Sequence, residues 1–293
     1  MGLLISKIIN YFHDDVGVPI EQENADAELP SNENAEDAVM VEKQRIFFSP
    51  DANKRALLIG INYFNTNHVL RGCINDVNDL SNFLREKLFF THENIFKMKD
   101  DLEINSEYYP SSRNIKHQIQ ELVDWANHNE KSEIWLSYSG HGYYINDYNN
   151  DEIDGKDEVL CPVVGEFIKD DWLKENLINK LNGDVKLFII MDCCHSGTIC
   201  DIQKECSDNM QKNICMISGC RDNQTSADAA FWIRDEYEWR GALTHHFIQS
   251  FTPNLKEHHA NLLKSLDNKF TQKPILSFTG KEEDMENTFL LKA

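Results

Sequence analysis

Two short segments concentrate residue types that do chemistry together: Tyr138-Ser139-Gly140-His141-Gly142 and Asp192-Cys193-Cys194-His195-Ser196-Gly197. Each follows an apolar run, so each falls where a buried strand would end, and open α/β sheets place ligands beyond those ends. A His on one strand end and a Cys on its neighbour form a nucleophile–base pair. The imidazole promotes the thiolate, and the thiolate attacks an acyl carbon. The glycines let backbone approach a substrate, and the amides of Gly142 and Cys194 are candidates to donate to an oxyanion. Either segment alone reads equally as buried residues at a strand end, with His141 structural.

The elements that must position this pair are legible as apolar runs. Arg55-Ala56-Leu57-Leu58-Ile59-Gly60-Ile61 reads as a strand buried on both faces, and the fold starts near Phe47. Further strands are expected at Ile134 to Tyr138, Val159 to Val164, Val185 to Met191 and Ile214 to Ile217. Short late ones are expected at Ile275 to Phe278 and Thr288 to Leu291. Asn75 or Asp76 can cap a helix that turns Val77, Leu80, Phe83 and Leu84 inward. Ser111 or Ser112 precedes a second helix, with Ile115, Ile119, Leu122 and Ala126 inward. Asp171 to Leu181, Ala242 to Phe251 and Leu255 to Phe270 read as helices. This alternation predicts an α/β fold with a mostly parallel central sheet and helices on both faces.

The 293 residues suit one large α/β domain, and 41% hydrophobic composition excludes a wholly disordered chain. With 49 acids against 29 bases the formal charge is −20, so no nucleic-acid partner is expected. Such a chain attracts cations instead, either metal ions or basic peptide segments. The eight cysteines form no CxxC pair and no zinc pattern, which fits a reducing, cytoplasmic setting with thiols available for chemistry; a monomer is expected. Residues 1–45 stand apart. Ten acids and one Lys lie between Asp14 and Lys43, which reads as a disordered acidic tail before a catalytic domain at 46–293. Met1-Gly2-Leu3-Leu4-Ile5-Ser6 fits the N-myristoylation pattern and equally fits a short helix. One acyl chain on Gly2 would give only weak membrane association.

His141 and Cys194 are 53 residues apart, the caspase-type separation. Ser139-Gly140-His141-Gly142 and Asp192-Cys193-Cys194-His195-Ser196-Gly197 resemble the two catalytic motifs of metacaspases. Leu70-Arg71-Gly72-Cys73-Ile74-Asn75-Asp76 resembles the loop after their first strand. The run from Ser218 to Asp228 and Gly241-Ala242-Leu243-Thr244 resemble their small-subunit region. The match spans about Lys54 to the C-terminus in family order. It implies a caspase–haemoglobinase fold, with a large-subunit region to about 201 and a small-subunit region from about 213. It implies a cysteine endopeptidase cleaving protein or peptide substrates after Arg or Lys, with self-processing, Cys194 as nucleophile and His141 as base. Cys193 stands where the family usually has Ser. The short stretch from Asp201 to Ile214 is similar to type I members, and the acidic tail stands in place of their Pro-rich or zinc-finger prodomain.

The resemblance assigns Asp76 and Asp192 to the primary specificity pocket, with Cys73, Ser139 and Ser218 as further substrate-binding residues. The physics agrees, because a long basic side chain entering a closed pocket needs carboxylates to offset its desolvation. A helix N-cap is the plainer role for Asp76, and Arg71 is structural or peripheral. Asp147, Asp151, Glu152, Asp154, Asp157 and Glu158 crowd twelve residues with one Lys. They are not an EF-hand and by themselves read as a solvated loop. The resemblance implies a Ca²⁺ site on Asp157, Asp170, Asp171 and Asp201. Three other readings stand beside this one. A catalytically silent scaffold would have lost Cys194 or His141, a caspase-like peptidase with Asp specificity would carry bases in place of Asp76 and Asp192, and a redox sensor would use Cys193 and Cys194.

Overall fold

The computed structural model describes residues 46–47, 52–146, 156–193, 213–219, 228–233, 235–267, 270, 273–279 and 288–289. The acidic tail, Cys194 to Lys212 and Cys220 to Ala227 lie outside them.

In chain order the strands are β1 (Ile46–Phe47), β2 (Asn53–Gly60), β3 (Ile95–Lys99), β4 (Ser132–Ser139), β5 (Gly142–Asn146), β6 (Lys156–Leu160) and β7 (Ile168–Lys169). They continue as β8 (Lys186–Asp192), β9 (Asn213–Ser218), β10 (Asp228–Ile233), β11 (Glu236–Gly241), β12 (Ile275–Phe278) and β13 (Thr288–Phe289). The α-helices are α1 (Cys73–Lys87), α2 (Ser112–His128), α3 (Asp170–Leu173), α4 (Ala242–Gln249) and α5 (Leu255–Leu266). A π-helical turn, Lys174–Ile178, continues α3.

Six strands form the central sheet in the order β12-β9-β8-β4-β2-β3, all parallel except β12. Side chains alternate across it because the strand repeat is two. Leu57 and Ile59, Leu136 and Tyr138, Ile189 and Met191 face one layer, where α2 and the segment Leu173 to Leu181 pack. Leu58, Trp135, Phe188 and Ile190 face the other, under α1, α4 and α5. That second layer is aromatic: Phe247 of α4 touches Phe83, Trp135, Phe188 and Phe251 at centroid distances of 5.8 to 6.1 Å. The doubly wound arrangement expected from the apolar runs is therefore present.

The differences are local. Gly72, not Asn75 or Asp76, occupies the N-cap of α1, so Asp76 lies within the first turn and its side chain is used elsewhere. Ser111 does cap α2, accepting from the Asn114 amide at 3.2 Å. The stretch around Val159 is no sheet-core strand. It is β6 of a separate antiparallel sheet, β5-β6-β7. The helix expected over Asp171 to Leu181 shortens to α3 plus the π turn. β3 and the β10–β11 hairpin have no apolar signature of the expected kind: their burial patterns are mixed or exposed. Among the described residues no helix is long and apolar enough to cross a membrane.

Phe247 is fully buried in a close-packed aromatic layer. Phe247→Ala should therefore cost about 3–5 kcal/mol of unfolding free energy. Urea unfolding checks this, and a loss below about 1 kcal/mol would mean that the layer is loosely packed.

Candidate active site

β4 and β8 lie side by side and in register, with Ser139 opposite Asp192. Both motifs therefore leave the sheet at the same carboxyl edge, where Gly140 N–H donates to the Asp192 carbonyl at 3.4 Å. Cys193 is buried, and Cys194 lies outside the described residues. Gly142 opens β5, opposite Leu160.

His141 is held on three sides. Its amide donates to Tyr63 Oη at 2.8 Å, and its carbonyl accepts from Tyr138 Oη at 2.8 Å and from the Cys161 amide at 3.1 Å. The Tyr63 ring packs against the imidazole with centroids 4.5 Å apart. Burial pushes the phenols of Tyr63 and Tyr138 well above their ordinary range, so they persist as neutral hydrogen-bond hubs. The imidazole Nε2 lies 2.6 Å from the His68 carbonyl. A carbonyl only accepts, so Nε2 carries the proton and Nδ1 of the neutral ring is the basic nitrogen. The loop bearing His68 is itself pinned, with Leu70 N–H on the Asn62 carbonyl at 2.8 Å and Cys73 N–H on Asn62 Oδ1 at 3.1 Å. Nothing in the sequence around Tyr63, Asn62 or His68 marks these roles, which arise from the path of a loop.

Beside His141 lies a buried acidic pair. Asp76 is fully buried. Its Oδ2 accepts from Ser139 Oγ at 2.5 Å, and both its oxygens accept from Gly241 N–H at 2.9 and 3.1 Å. Asp192 Oδ2 accepts from Thr244 N–H, in the first turn of α4, at 2.9 Å. A Cβ on Gly241 would lie 2.2 Å from Asp192 Oδ2 and 2.7 Å from Asp76 Oδ2, so only glycine lets both carboxylates converge there. Burial first, and then the charge of Asp192, push the Asp76 carboxyl well above the carboxylate range, while Ser139 and Gly241 partly offset this. Cys73 adjoins the same cluster, and burial together with Asp76 pushes its thiol up, so it stays protonated. Ser218 ends β9, one strand over, opposite Met191.

Cys73, Asp76, Ser139 and Asp192 are thus brought together around Gly241 and Thr244. Those two amide donors sit in the Gly241-Ala242-Leu243-Thr244 segment, where the sequence signalled a motif but no role. Asp228 is a further case: its Oδ2 accepts from the Arg71 amide at 2.9 Å, tying β10 to the loop before α1. The Arg71 guanidinium itself lies over the Trp239 ring, 4.8 Å from its centroid.

Of the expected metal ligands, Asp157 lies on β6 of the small antiparallel sheet, and Asp170 and Asp171 open α3 just after β7. Asp157 is buried, ion-paired through Oδ2 with Lys169, and its Oδ1 is buried without a hydrogen-bond partner among the described residues. Asp170 is buried, and its Oδ1 accepts from the Asp171 amide at 2.8 Å. Asp201 lies outside the described residues. Among the described residues no group of three or more His, Cys, Asp or Glu side chains is set to hold a metal ion. A cleft of about 240 Å³ opens elsewhere, lined by Arg55, Phe96, Tyr108, His117 and Glu121, and away from the strand ends that carry His141.

This geometry has known relatives. Residues 54–203 match the family model described as metacaspase, peptidase C14 domain. Metacaspase-1B of Aspergillus fumigatus is 32% identical over 288 residues, covering 76% of this chain and 69% of that protein. Metacaspase-1 of Arabidopsis thaliana is 33% identical over 224 residues, covering 69% of this chain and 60% of that protein. The crystal structure of a protein from Geobacter sulfurreducens shares the fold, with a TM-score of 0.60 at 21% identity over 80% of this chain and 97% of that one. The fold is that of a caspase-like protein, and the chain belongs to the metacaspase family of cysteine peptidases.

The acidic pair has a consequence for stability. The folded Asp76 carboxyl keeps its proton to higher pH than the unfolded one, so its contribution is present below about pH 4 and is lost as pH rises through the raised value. Asp76→Asn mimics the protonated form. Its Tm should equal wild type near pH 4 and exceed it by at least about 2 °C near pH 8. A variant less stable than wild type at pH 8 would show that the charged form is the native one.

Proposed function

We propose that this metacaspase is an endopeptidase that cleaves after Arg or Lys, with Cys194 as nucleophile and His141 as base. The observation that carries the reading is the convergence of Asp76 and Asp192 on Gly241, beside Ser139, which precedes His141 by two residues. Two buried carboxylates that repel each other are a poor structural choice and a good receptor for a cation, whose charge relieves that repulsion. An acidic substrate side chain would meet the same charges with the wrong sign, which disfavours Asp specificity. Retention of both Cys194 and His141 disfavours a silent scaffold.

The chemistry follows from the tautomer. With Nε2–H committed to His68, Nδ1 takes the proton of the Cys194 thiol. The thiolate attacks the carbonyl carbon, and the oxyanion accepts from the Gly142 and Cys194 amides. Collapse breaks the C–N bond, the imidazolium protonates the leaving amine, and a thioester remains. Water, deprotonated by His141, then hydrolyses the thioester and regenerates the thiol.

Asp157, Asp170, Asp171 and Asp201 hold Ca²⁺ in this reading, and the buried unpartnered Oδ1 of Asp157 supports it. The ion supplies charge neutralisation rather than a reactive group. Protein and peptide substrates, a cytoplasmic setting and a monomer complete the reading.

A fluorogenic peptide panel tests it. Arg and Lys peptides should be cleaved, with Asp peptides at least about 100-fold slower. Cys194→Ala should lose at least about 1,000-fold, whereas Cys193→Ser keeps most activity. Preferred cleavage after Asp, or activity in Cys194→Ala, would overturn the assignment. Excess chelator should lower the rate at least about tenfold, reversed by Ca²⁺ and not by Mg²⁺. A rate indifferent to chelator would remove calcium from the account.

A further inference from the structure

The acidic cluster already contains a cation. Lys169 ends β7, opposite Val159 of β6, and its ammonium pairs with Asp157 Oδ2 two residues along. The hydrogen bond to Asp157 dominates its surroundings, with the charges of Asp157, Asp171 and Asp170 adding attraction. These are three of the four residues assigned to Ca²⁺. The side chain of Lys169 is 37% exposed and that of Asp157 1%, so a surface-rooted side chain reaches down to a buried carboxylate. A buried carboxylate stripped of any cation is strongly disfavoured, which is why something must fill this place when no metal is bound. A flexible four-carbon stem rooted in solvent can leave without disturbing the sheet.

We propose that Lys169 is a tethered competitor for the divalent-cation site: its ammonium neutralises Asp157 in the metal-free protein and is expelled when Ca²⁺ binds. This rests on the calcium reading above. Binding is then an exchange of one cation for another, and the site's affinity is reduced by the fraction of time Lys169 occupies it. The device keeps the buried Asp157 neutralised in both states and raises the Ca²⁺ concentration at which the cluster responds.

The test uses the full chain carrying Cys194→Ala, with titration calorimetry of Ca²⁺ as the readout. Lys169→Gln should tighten the Ca²⁺ Kd about tenfold or more, while Lys169→Arg, which keeps the charge, stays within about threefold of wild type. Lys169→Gln should also lower Tm in chelator and regain it in saturating Ca²⁺. A second measurement needs no Lys169 substitution: acetylation of Lys169, followed by mass spectrometry, should rise several-fold when Ca²⁺ is added. Unchanged or weaker Ca²⁺ binding by Lys169→Gln, or Lys169 acetylation indifferent to Ca²⁺, overturns the proposal and leaves the calcium site standing. Absence of heat with wild type and Lys169→Gln alike removes the calcium site, and the competitor with it.

Discussion

Two carboxylates that should avoid each other are forced to share one place, at the amide of Gly241 and the first turn of α4. Much of the architecture serves that encounter. Asp76 arrives on α1, which reaches inward because its first turn packs against the end of β2. Asp192 arrives on β8, in register with Ser139 of β4, and Ser139 hydrogen-bonds Asp76. Backbone amides, which cannot be protonated away, absorb part of the charge. Burial outweighs them and the Asp76 carboxyl is pushed up. The molecule therefore holds stored electrostatic cost at the strand end that leads to His141, and a basic side chain is the partner that would lower it.

The same logic recurs at Asp157, where burial again leaves a carboxylate that needs a cation, here supplied by Lys169. The two sites differ in who brings the charge. At Asp76 and Asp192 the proposed partner is the substrate. At Asp157 it is a side chain of the protein, which an incoming ion would replace. Among the described residues, Asp76 with Asp192 and Asp157 with Glu158 and Asp170 are buried at these two points, while the buried Glu133 pairs with Lys186 on the central sheet.

What the sequence made legible follows from burial. β2, β4, β8 and β9 are covered on both faces, so they appear as runs dominated by apolar residues, and α2 shows its cap at Ser111. The motifs at His141 and Cys193 stand at strand ends because the runs before them end there. The β10–β11 hairpin was hidden because its residues are largely half-exposed, and Trp232 and Tyr237 face solvent. Asp76 resembled a cap because a carboxylate near a helix start usually is one, and only the tertiary approach of Gly241 reveals its other use. The supports of His141, namely Tyr63, Tyr138 and the His68 carbonyl, carry no local signature, since a backbone carbonyl belongs to every residue.

The central claim is that the buried acids read a cation. Calorimetry on the Cys194→Ala protein, at mildly acidic pH and in buffers of different ionisation enthalpy, tests it most directly. An uncleaved peptide with Arg at the pocket position should bind with net proton release, as the guanidinium turns Asp76 from acid to carboxylate, and its norleucine counterpart should bind far more weakly. Equal affinity for the two peptides, with no proton released by either, would contradict the account.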